Sequence, residues 1–165
     1  EKTPLGFPVD RDEIAWGVPD AVLIPNGLVR VYWTYTEDKT SDEKLISATS
    51  KTTKGIDFVM DPGYRLENGY VDFEVIKAEE GDWKALMSYT PHYMPEIPQS
   101  LFYATSKDGL DWDLIEERIT PKGYTYFDPT GIPIDEKNYL IVGSAAPNVM
   151  GDREHLLFTA MLVLP

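Results

Sequence analysis

Acidic residues recur along the chain at positions that could perform carboxylate chemistry. Asp20, Asp72 and Asp128 follow one another at intervals of roughly fifty residues, and Glu74 comes shortly after Asp72. Hydrolysis of a glycosidic bond generally uses two carboxyl groups, one protonated as the acid and one ionised as base or nucleophile. Carboxyl groups that converge on one cavity push their pKa values apart and so supply that asymmetry. Acid–base catalysis by these four residues is therefore one hypothesis for this chain.

Two other interpretations of the same acids stay open. Aspartate side chains often accept hydrogen bonds from neighbouring backbone N–H groups and thereby brace strands. Carboxylates also coordinate cations, so a structural calcium ion is compatible with the sequence. No organic cofactor is predicted, because phosphate-loop and dinucleotide-binding motifs are absent. With two histidines and no paired ligand motif, no protein metal site is predicted either.

A second group of residues has the chemistry to contact a sugar. Trp16 precedes the first acidic segment, and His92 and Tyr93 lie in a long proline-rich loop at 90–98. Long loops without secondary structure are frequently functional, and aromatic side chains offer flat apolar surfaces for sugar rings. The guanidinium of Arg30 could bind a carboxylate-bearing sugar in a bidentate manner. Trp16, Tyr93, His92 and Arg30 are thus predicted to bind substrate.

The elements that would position these residues repeat along the chain. Segments 18–24, 71–76 and 127–133 each predict a first strand, followed by a polar turn and a second apolar strand. The third strand repeats most clearly, with Leu-Ile-Ser-Ala-Thr-Ser-Lys at 45–51 and Leu-Phe-Tyr-Ala-Thr-Ser-Lys at 101–107. A turn and a fourth short strand follow. Four short strands in a unit of about fifty residues are typical of β-propeller blades.

The sequence therefore predicts an all-β fold, a β-propeller segment of about three four-stranded blades. The expected boundaries are 18–69 for blade 1, 70–125 for blade 2 and 126–165 for an incomplete blade 3, with 1–17 as an N-terminal segment or the tail of a preceding blade. Three blades leave sheet faces and edges open. We expect further blades, from the rest of a longer polypeptide or from another copy, to complete the propeller.

One turn carries a specific resemblance. The sequence Ser-Lys-Asp-Gly-Leu-Asp-Trp at 106–112 resembles the S-x-D-G-x-x-W turn between the outer strands of five-bladed glycosidase propellers, and more distantly the Asp-box of sialidases. We expect Asp108 to accept hydrogen bonds from turn N–H groups, Gly109 to adopt positive φ, and Trp112 to pack between blades. In these families the turn is structural and lies away from the substrate.

The first strands are similar to those of propellers of the arabinanase, β-xylosidase and invertase type, in which each blade opens with an Asp-Pro-like element. Asp128 is followed by a proline, Asp20 is preceded by one, and Asp72 has none beside it. The resemblance implies that Asp20 is the base, that Asp72 is the orienting carboxylate, and that Glu74 or Asp128 is the acid. It implies a glycoside-hydrolase-like protein, with a non-catalytic glycan-binding or protein-binding propeller as the alternative.

Composition limits the partners. The net charge is −13, from 28 acidic and 15 basic residues, and such a surface repels nucleic acid and anionic membranes while remaining compatible with neutral carbohydrate. The sequence contains no cysteine, which excludes disulfides and thiolate metal sites. Extracellular and cytoplasmic locations both stay open. No apolar stretch is long enough to predict a membrane-spanning helix.

Overall fold

The computed structural model describes residues 14–36, 42–89, 99–147 and 155–164, and of residues 14–18 it describes the backbone only. This part of the chain is all-β, as predicted, and contains no helix with the length and hydropathy that a membrane span requires. It forms eleven strands: β1 Ile14–Leu23, β2 Val29–Thr36, β3 Lys44–Ser50, β4 Phe58–Met60, β5 Tyr70–Glu79, β6 Asp82–Tyr89, β7 Ser100–Ser106, β8 Trp112–Ile115, β9 Tyr124–Pro133, β10 Asn138–Pro147 and β11 Leu156–Val163.

The strands form three antiparallel sheets in sequence order, which are called blades 1, 2 and 3. Blade 1 contains β1 to β4, blade 2 contains β5 to β8, and blade 3 contains β9 to β11. The first strands of the blades are neighbours, because β5 contacts both β1 and β9. The predicted propeller segment is therefore confirmed, and within the described residues the three sheets do not close into a ring. β1 begins at Ile14, inside the segment that was expected to precede blade 1.

Aromatic packing joins blades 1 and 2. Tyr32 of β2 is fully buried, and its ring lies 5.1 Å from the ring of Phe73 on β5. Trp112 of β8 meets Phe73 edge-to-face at 5.2 Å and Tyr32 at 6.4 Å. Such tilted and edge-to-face contacts add to the free energy gained by burying the rings. Trp112 thus packs between two blades, as its place in the turn motif predicts.

Apolar packing joins blades 2 and 3. Ile76 and Leu86 of blade 2 form one buried cluster with Tyr139, Ile141 and Leu164 of blade 3. The opposite side of blade 3 is different, because large apolar side chains of β11 are exposed, Leu157 at 83%. An exposed apolar surface of this kind is characteristic of an interaction site.

The turn between β7 and β8 is built from its own sequence. The Asp108 carboxylate accepts hydrogen bonds from the N–H groups of Leu110 (2.8 Å) and Asp111 (3.1 Å). Gly109 has φ 73°, and the indole N–H of Trp112 donates to the Gly109 carbonyl. The roles predicted for Asp108 and Gly109 are therefore confirmed.

Blade 1 holds this turn by three successive carbonyl groups. Arg30 Nη1 donates to the carbonyl of Asp108 (2.8 Å), the Tyr32 hydroxyl to that of Gly109 (2.8 Å), and Arg65 Nη1 to that of Leu110 (2.9 Å). Burial raises the pKa of Tyr32 to about 12, so its hydroxyl keeps the proton that it donates. The turn therefore positions blade 2 against blade 1.

Candidate active site on the first strands

The first strands of blades 2 and 3 carry the same irregularity at their aspartates. In β5, Val71 opposes Ser88 and Glu74 opposes Leu86, which leaves Asp72 and Phe73 in a bulge. In β9, Phe127 opposes Ser144 and Thr130 opposes Val142, which leaves Asp128 in an equivalent bulge. Both aspartates have left-handed backbone, with φ 51° for Asp72 and 46° for Asp128. Bulges of this type re-aim side chains and are common next to active sites.

The strained backbone at these aspartates is an observation that points towards function. Positive φ is unfavourable for a residue with a side chain, and residues held in such conformations cluster at ligand-binding and catalytic sites. In the outer turn of blade 2, the same conformation is taken by a glycine. The first strands therefore keep a carboxylate at positions where glycine would relieve the backbone.

The side chain of Asp20 on β1 is hydrogen-bonded to the backbone of blade 2. Its Oδ2 accepts a hydrogen bond from the Val75 N–H of β5 at 2.8 Å. Burial raises the pKa of Asp20 to about 6; the Val75 N–H opposes this rise, and the negative charge of Glu74 adds to it. Asp20 thus holds a proton at mildly acidic pH and releases it near neutrality.

Asp72 of β5 has partners within its own blade and in blade 3. The buried Ser88 hydroxyl of β6 donates to its Oδ2, and the Asp128 N–H of β9 approaches the same oxygen at 3.4 Å. Burial raises the pKa of Asp72, the Ser88 hydroxyl opposes the rise, and the charge of Asp128 adds to it. Asp72 and Asp128 are therefore neighbours on adjacent strands. They differ in access to solvent, because Asp128 is exposed and Asp72 is partly buried.

Glu74 faces both neighbouring strands. The Thr130 hydroxyl of β9 donates to its Oε1 at 2.8 Å, while its charge acts on Asp20 of β1. Burial raises the pKa of Glu74, and the Thr130 hydroxyl opposes the rise. The structure thus couples Asp20 with Glu74 across β1 and β5, and Asp72 with Asp128 across β5 and β9. Asp20, Asp72 and Glu74 each have a raised pKa with burial as the main cause.

The register corrects the equivalence that the sequence suggested. Asp20 opposes Tyr32 and Glu74 opposes Leu86, and these partners hold the same place in β2 and β6. Asp20 is therefore the counterpart of Glu74 rather than of Asp72. The reason is that the two irregularities differ in length. The one in β1 contains the three residues between Trp16 and Asp20, whereas the one in β5 contains the two residues between Val71 and Glu74. Counting residues along the sequence cannot detect this difference.

Two supporting residues were missed by the sequence analysis. Ser88 lies on β6 and contacts Asp72, and Thr130 lies on β9 and contacts Glu74. The signal for Thr130 was present, because it follows Asp128 at the same distance at which Glu74 follows Asp72. Ser88 lacked a comparable signal, since a serine within an apolar strand has many structural uses.

Of the four residues predicted to bind substrate, the structure describes the side chain of Arg30 alone. Arg30 is buried, pairs with Asp61 (Nε to Oδ2, 3.3 Å), donates to Thr49 and lies over the Trp83 ring. Together with its bond to the Asp108 carbonyl, these contacts use the guanidinium to join blades 1 and 2, and we correct its assignment to that structural role. The side chain of Trp16, and His92 and Tyr93 as a whole, lie outside the described residues.

Within the described part of the chain, no group of three or more His, Cys, Asp or Glu side chains is arranged to hold a metal ion. The structural calcium ion that the sequence left open therefore stays a prediction without an identified set of ligands. The chemistry that the described residues can perform is proton transfer and hydrogen bonding by carboxyl groups whose pKa is raised by burial.

No protein-family model and no curated protein matches the sequence. Solved structures do match the fold. A protein from Parabacteroides distasonis designated a glycoside hydrolase superposes with a TM-score of 0.59 at 20% identity, over 78% of this chain and 46% of its own. A GH32 β-fructofuranosidase from Bombyx mori superposes with a TM-score of 0.64 at 15% identity, over 93% of this chain and 35% of its own.

A third structure, described as a glycoside hydrolase, has a TM-score of 0.58 at 12% identity and covers 97% of this chain and 58% of its own. The chain therefore spans about half or less of the length of the first two of these structures and somewhat more of the third. Identities this low establish the fold alone. The chain has the propeller-segment fold found in glycoside hydrolases.

Proposed function

We propose that this chain is part of a glycoside-hydrolase-like propeller that acts on carbohydrate through carboxyl groups of its first strands. The observation that carries the proposal is the pair Asp20 and Glu74. They lie on adjacent strands, each has a pKa raised mainly by burial, and the charge of Glu74 acts on Asp20. Pairs of carboxyl groups whose environments set different pKa values are the basis of acid–base assignment in glycosidases.

The proposed roles follow from the surroundings of each carboxyl group. With a pKa of about 6, Asp20 can both hold and release a proton at mildly acidic to neutral pH, which is the property of an efficient general acid or base. Glu74, anchored by the Thr130 hydroxyl, is the second carboxyl group of the pair. Asp72, fixed by Ser88 on a bulge, is the orienting group.

Neutral carbohydrate is the proposed substrate class. The net charge of −13 disfavours anionic polymers at long range, and the carboxylates at the site favour ligands with many hydroxyl donors. The arabinanase, β-xylosidase and invertase type of propeller remains the proposed relationship. It is supported by the acids of the first strands and by the turn at 106–112.

A further part of the proposal concerns blades beyond these three. The exposed apolar residues of β11 lie on the side of blade 3 that is remote from blade 2, and a further blade would cover them as blade 3 covers Ile76 and Leu86. The blade could come from the same polypeptide or from another copy. Light scattering tests the second source, because a particle with the mass of one chain would contradict it.

One observation favours a non-catalytic function. The Asp20 carboxylate accepts a bond from the Val75 N–H, and the Asp128 N–H approaches the Asp72 carboxylate. These contacts brace neighbouring first strands, and a propeller that only binds glycan or protein would need them equally. The two functions differ in turnover.

The test uses conservative substitutions of the pair. Asp20→Asn and Glu74→Gln keep size and hydrogen bonding but remove the ionisable group. Hydrolysis of arabino-, xylo- and fructo-oligosaccharides should fall by about 100-fold or more in each variant, the usual contribution of one acid or base. Asp113→Asn, an exposed carboxylate on β8, is the matched control and should retain activity. Binding of the oligosaccharides without turnover by the unmodified protein would establish the non-catalytic alternative.

A further inference from the structure

We propose a second carbohydrate-binding site, separate from the first-strand carboxylates, in a cleft between blades 1 and 2. The cleft has a volume of about 670 Å³, within the range of small-molecule sites. It is lined on one side by the segment 64–68 and on the other by residues of β5, β6 and β8 and by Glu116. None of the first-strand carboxylates lines it. The class of ligand rests on the proposed function.

Aromatic rings form one part of this cleft. Tyr70 and Tyr89 oppose each other across β5 and β6, with ring centroids 4.8 Å apart. Phe102 of β7 supports both rings edge-to-face, at 6.1 Å from Tyr70 and 6.0 Å from Tyr89. Rings that are held in place by packing lose little conformational entropy when a ligand binds. They offer an apolar face together with a hydroxyl group, which suits a sugar ring.

Tyr64 adds a third ring at the edge of the cleft. Its side chain is 40% exposed, and the Lys44 ammonium lies 4.4 Å from its centroid. The backbone beneath it is fixed, because Arg65 N–H donates to the Leu45 carbonyl and Leu45 N–H donates to the Leu66 carbonyl. The loop wall is thus tied to β3, and the cleft is formed before any ligand arrives.

Polar groups complete the site. Glu67, Asn68 and Glu116 are exposed and line the cleft. Burial raises the pKa of Tyr70, and the nearby Tyr89 and Glu116 add to this rise, so its hydroxyl stays a donor. Two carboxylates and an amide beside aromatic faces can accept hydrogen bonds from sugar hydroxyls, whereas they repel acidic sugars. Neutral polysaccharide is the ligand that this chemistry favours.

The cleft lies close in the fold to the bulge that carries Asp72. Tyr89 follows Ser88, which contacts Asp72, and Tyr70 lies just before the bulge that carries Asp72. The cleft and the first-strand carboxylates are therefore at the same end of blade 2. We expect a polymer held in the cleft to continue towards these carboxylates, and a disaccharide-sized substrate to occupy only one of the two places. The cleft should thus contribute to binding of polymers only.

The experiment measures binding and turnover separately. Binding of soluble arabinan, xylan and levan is measured by affinity electrophoresis in an Asp20→Asn background, which prevents turnover. Tyr64→Ala and Glu116→Gln change exposed side chains and should fold. We expect each to weaken binding of at least one polymer about tenfold. In the active protein, Tyr64→Ala should raise KM for that polymer and leave kcat, and the KM for a disaccharide-sized substrate, unchanged.

Tyr124→Ala is the matched control, because Tyr124 is exposed on blade 3 and does not line the cleft. The inference is overturned if none of the polymers binds, if Tyr64→Ala and Glu116→Gln bind as the parent does, or if Tyr124→Ala weakens binding equally. Loss of polymer binding in the cleft variants with unchanged hydrolysis in Asp20→Asn would instead contradict the proposed function and leave the cleft in place.

Discussion

The outer turn of blade 2 and the first-strand bulges adopt the same unusual backbone with opposite consequences. The turn puts a glycine at its left-handed position, Gly109, and blade 1 caps its carbonyl groups. The bulges put Asp72 and Asp128 at theirs, and Asp72 is also desolvated. One region is arranged for stability. The other retains backbone strain and one desolvated carboxyl group, the pattern expected where function competes with stability.

The largest effect should come from the turn. In Gly109→Ala, the new Cβ would lie 2.7 Å from Trp83, 2.7 Å from the Tyr32 hydroxyl and 2.8 Å from Arg30 Nη1, at φ 73°. We expect the free energy of unfolding to fall by about 3 kcal/mol or more, because steric overlap adds to backbone strain. Urea denaturation followed by tryptophan fluorescence measures it.

Gly81→Ala separates the two causes. Gly81 has nearly the same backbone, φ 74°, but nothing lies within 4 Å of the added Cβ. Its substitution should cost about 1 kcal/mol, from strain alone. Equal losses in the two variants would show that the turn does not hold the blades together as described.

The next effect should come from the first strands. Here the substitution is expected to raise the free energy of unfolding, whereas Gly109→Ala lowers it. The pKa of Asp20 is raised from 3.8 to about 6 on folding, so the folded state binds more protons between these values. The free energy of unfolding should therefore fall by about 3 kcal/mol as the pH rises through this window. Asp20→Asn keeps an acceptor for the Val75 N–H without the ionisation. It should be more stable than the unmodified protein at pH 7 and closer to it at pH 4.

Thermal or urea unfolding at several pH values tests this expectation, with Asp113→Asn as the control on an outer strand. A pH dependence that is the same in Asp20→Asn as in the unmodified protein would mean that Asp20 does not titrate in this window. Burial of the Asp20 carboxyl group would then not contribute to the pH dependence of stability.

The smallest effect should come from the carboxylate of the turn. Burial raises the pKa of Asp108, but the N–H groups of Leu110 and Asp111 outweigh it and leave the pKa below its usual value. Asp108→Ala should cost about 1 kcal/mol at pH 7, as for the loss of a helix-capping side chain. This contribution is lost as the pH falls through the lowered pKa, so the difference should shrink in acid. Lys107→Ala, in the same turn, is the control in the same unfolding assay.

Local sequence predicted the turn well and the first strands only in part. The roles of Asp108 and Gly109 depend on neighbours within three residues, so the pattern at 106–112 contains nearly all the information. The contact of Arg30 with the Asp108 carbonyl joins residues far apart in the chain. The sequence offered Arg30 as a sugar-binding residue, because an arginine in a strand has no local sign of its distant partner.

The sequence by itself determined the strand pattern, the division into blades and the chemistry of the turn, since these follow from apolar periodicity and from short-range hydrogen bonds. Only the tertiary structure decided which carboxyl groups meet. The pairing of Asp20 with Glu74 depends on the length of two bulges, and their pKa values depend on burial between adjacent strands. Both are properties of strands brought together across some fifty residues of intervening chain, where loop closure and packing override any local rule.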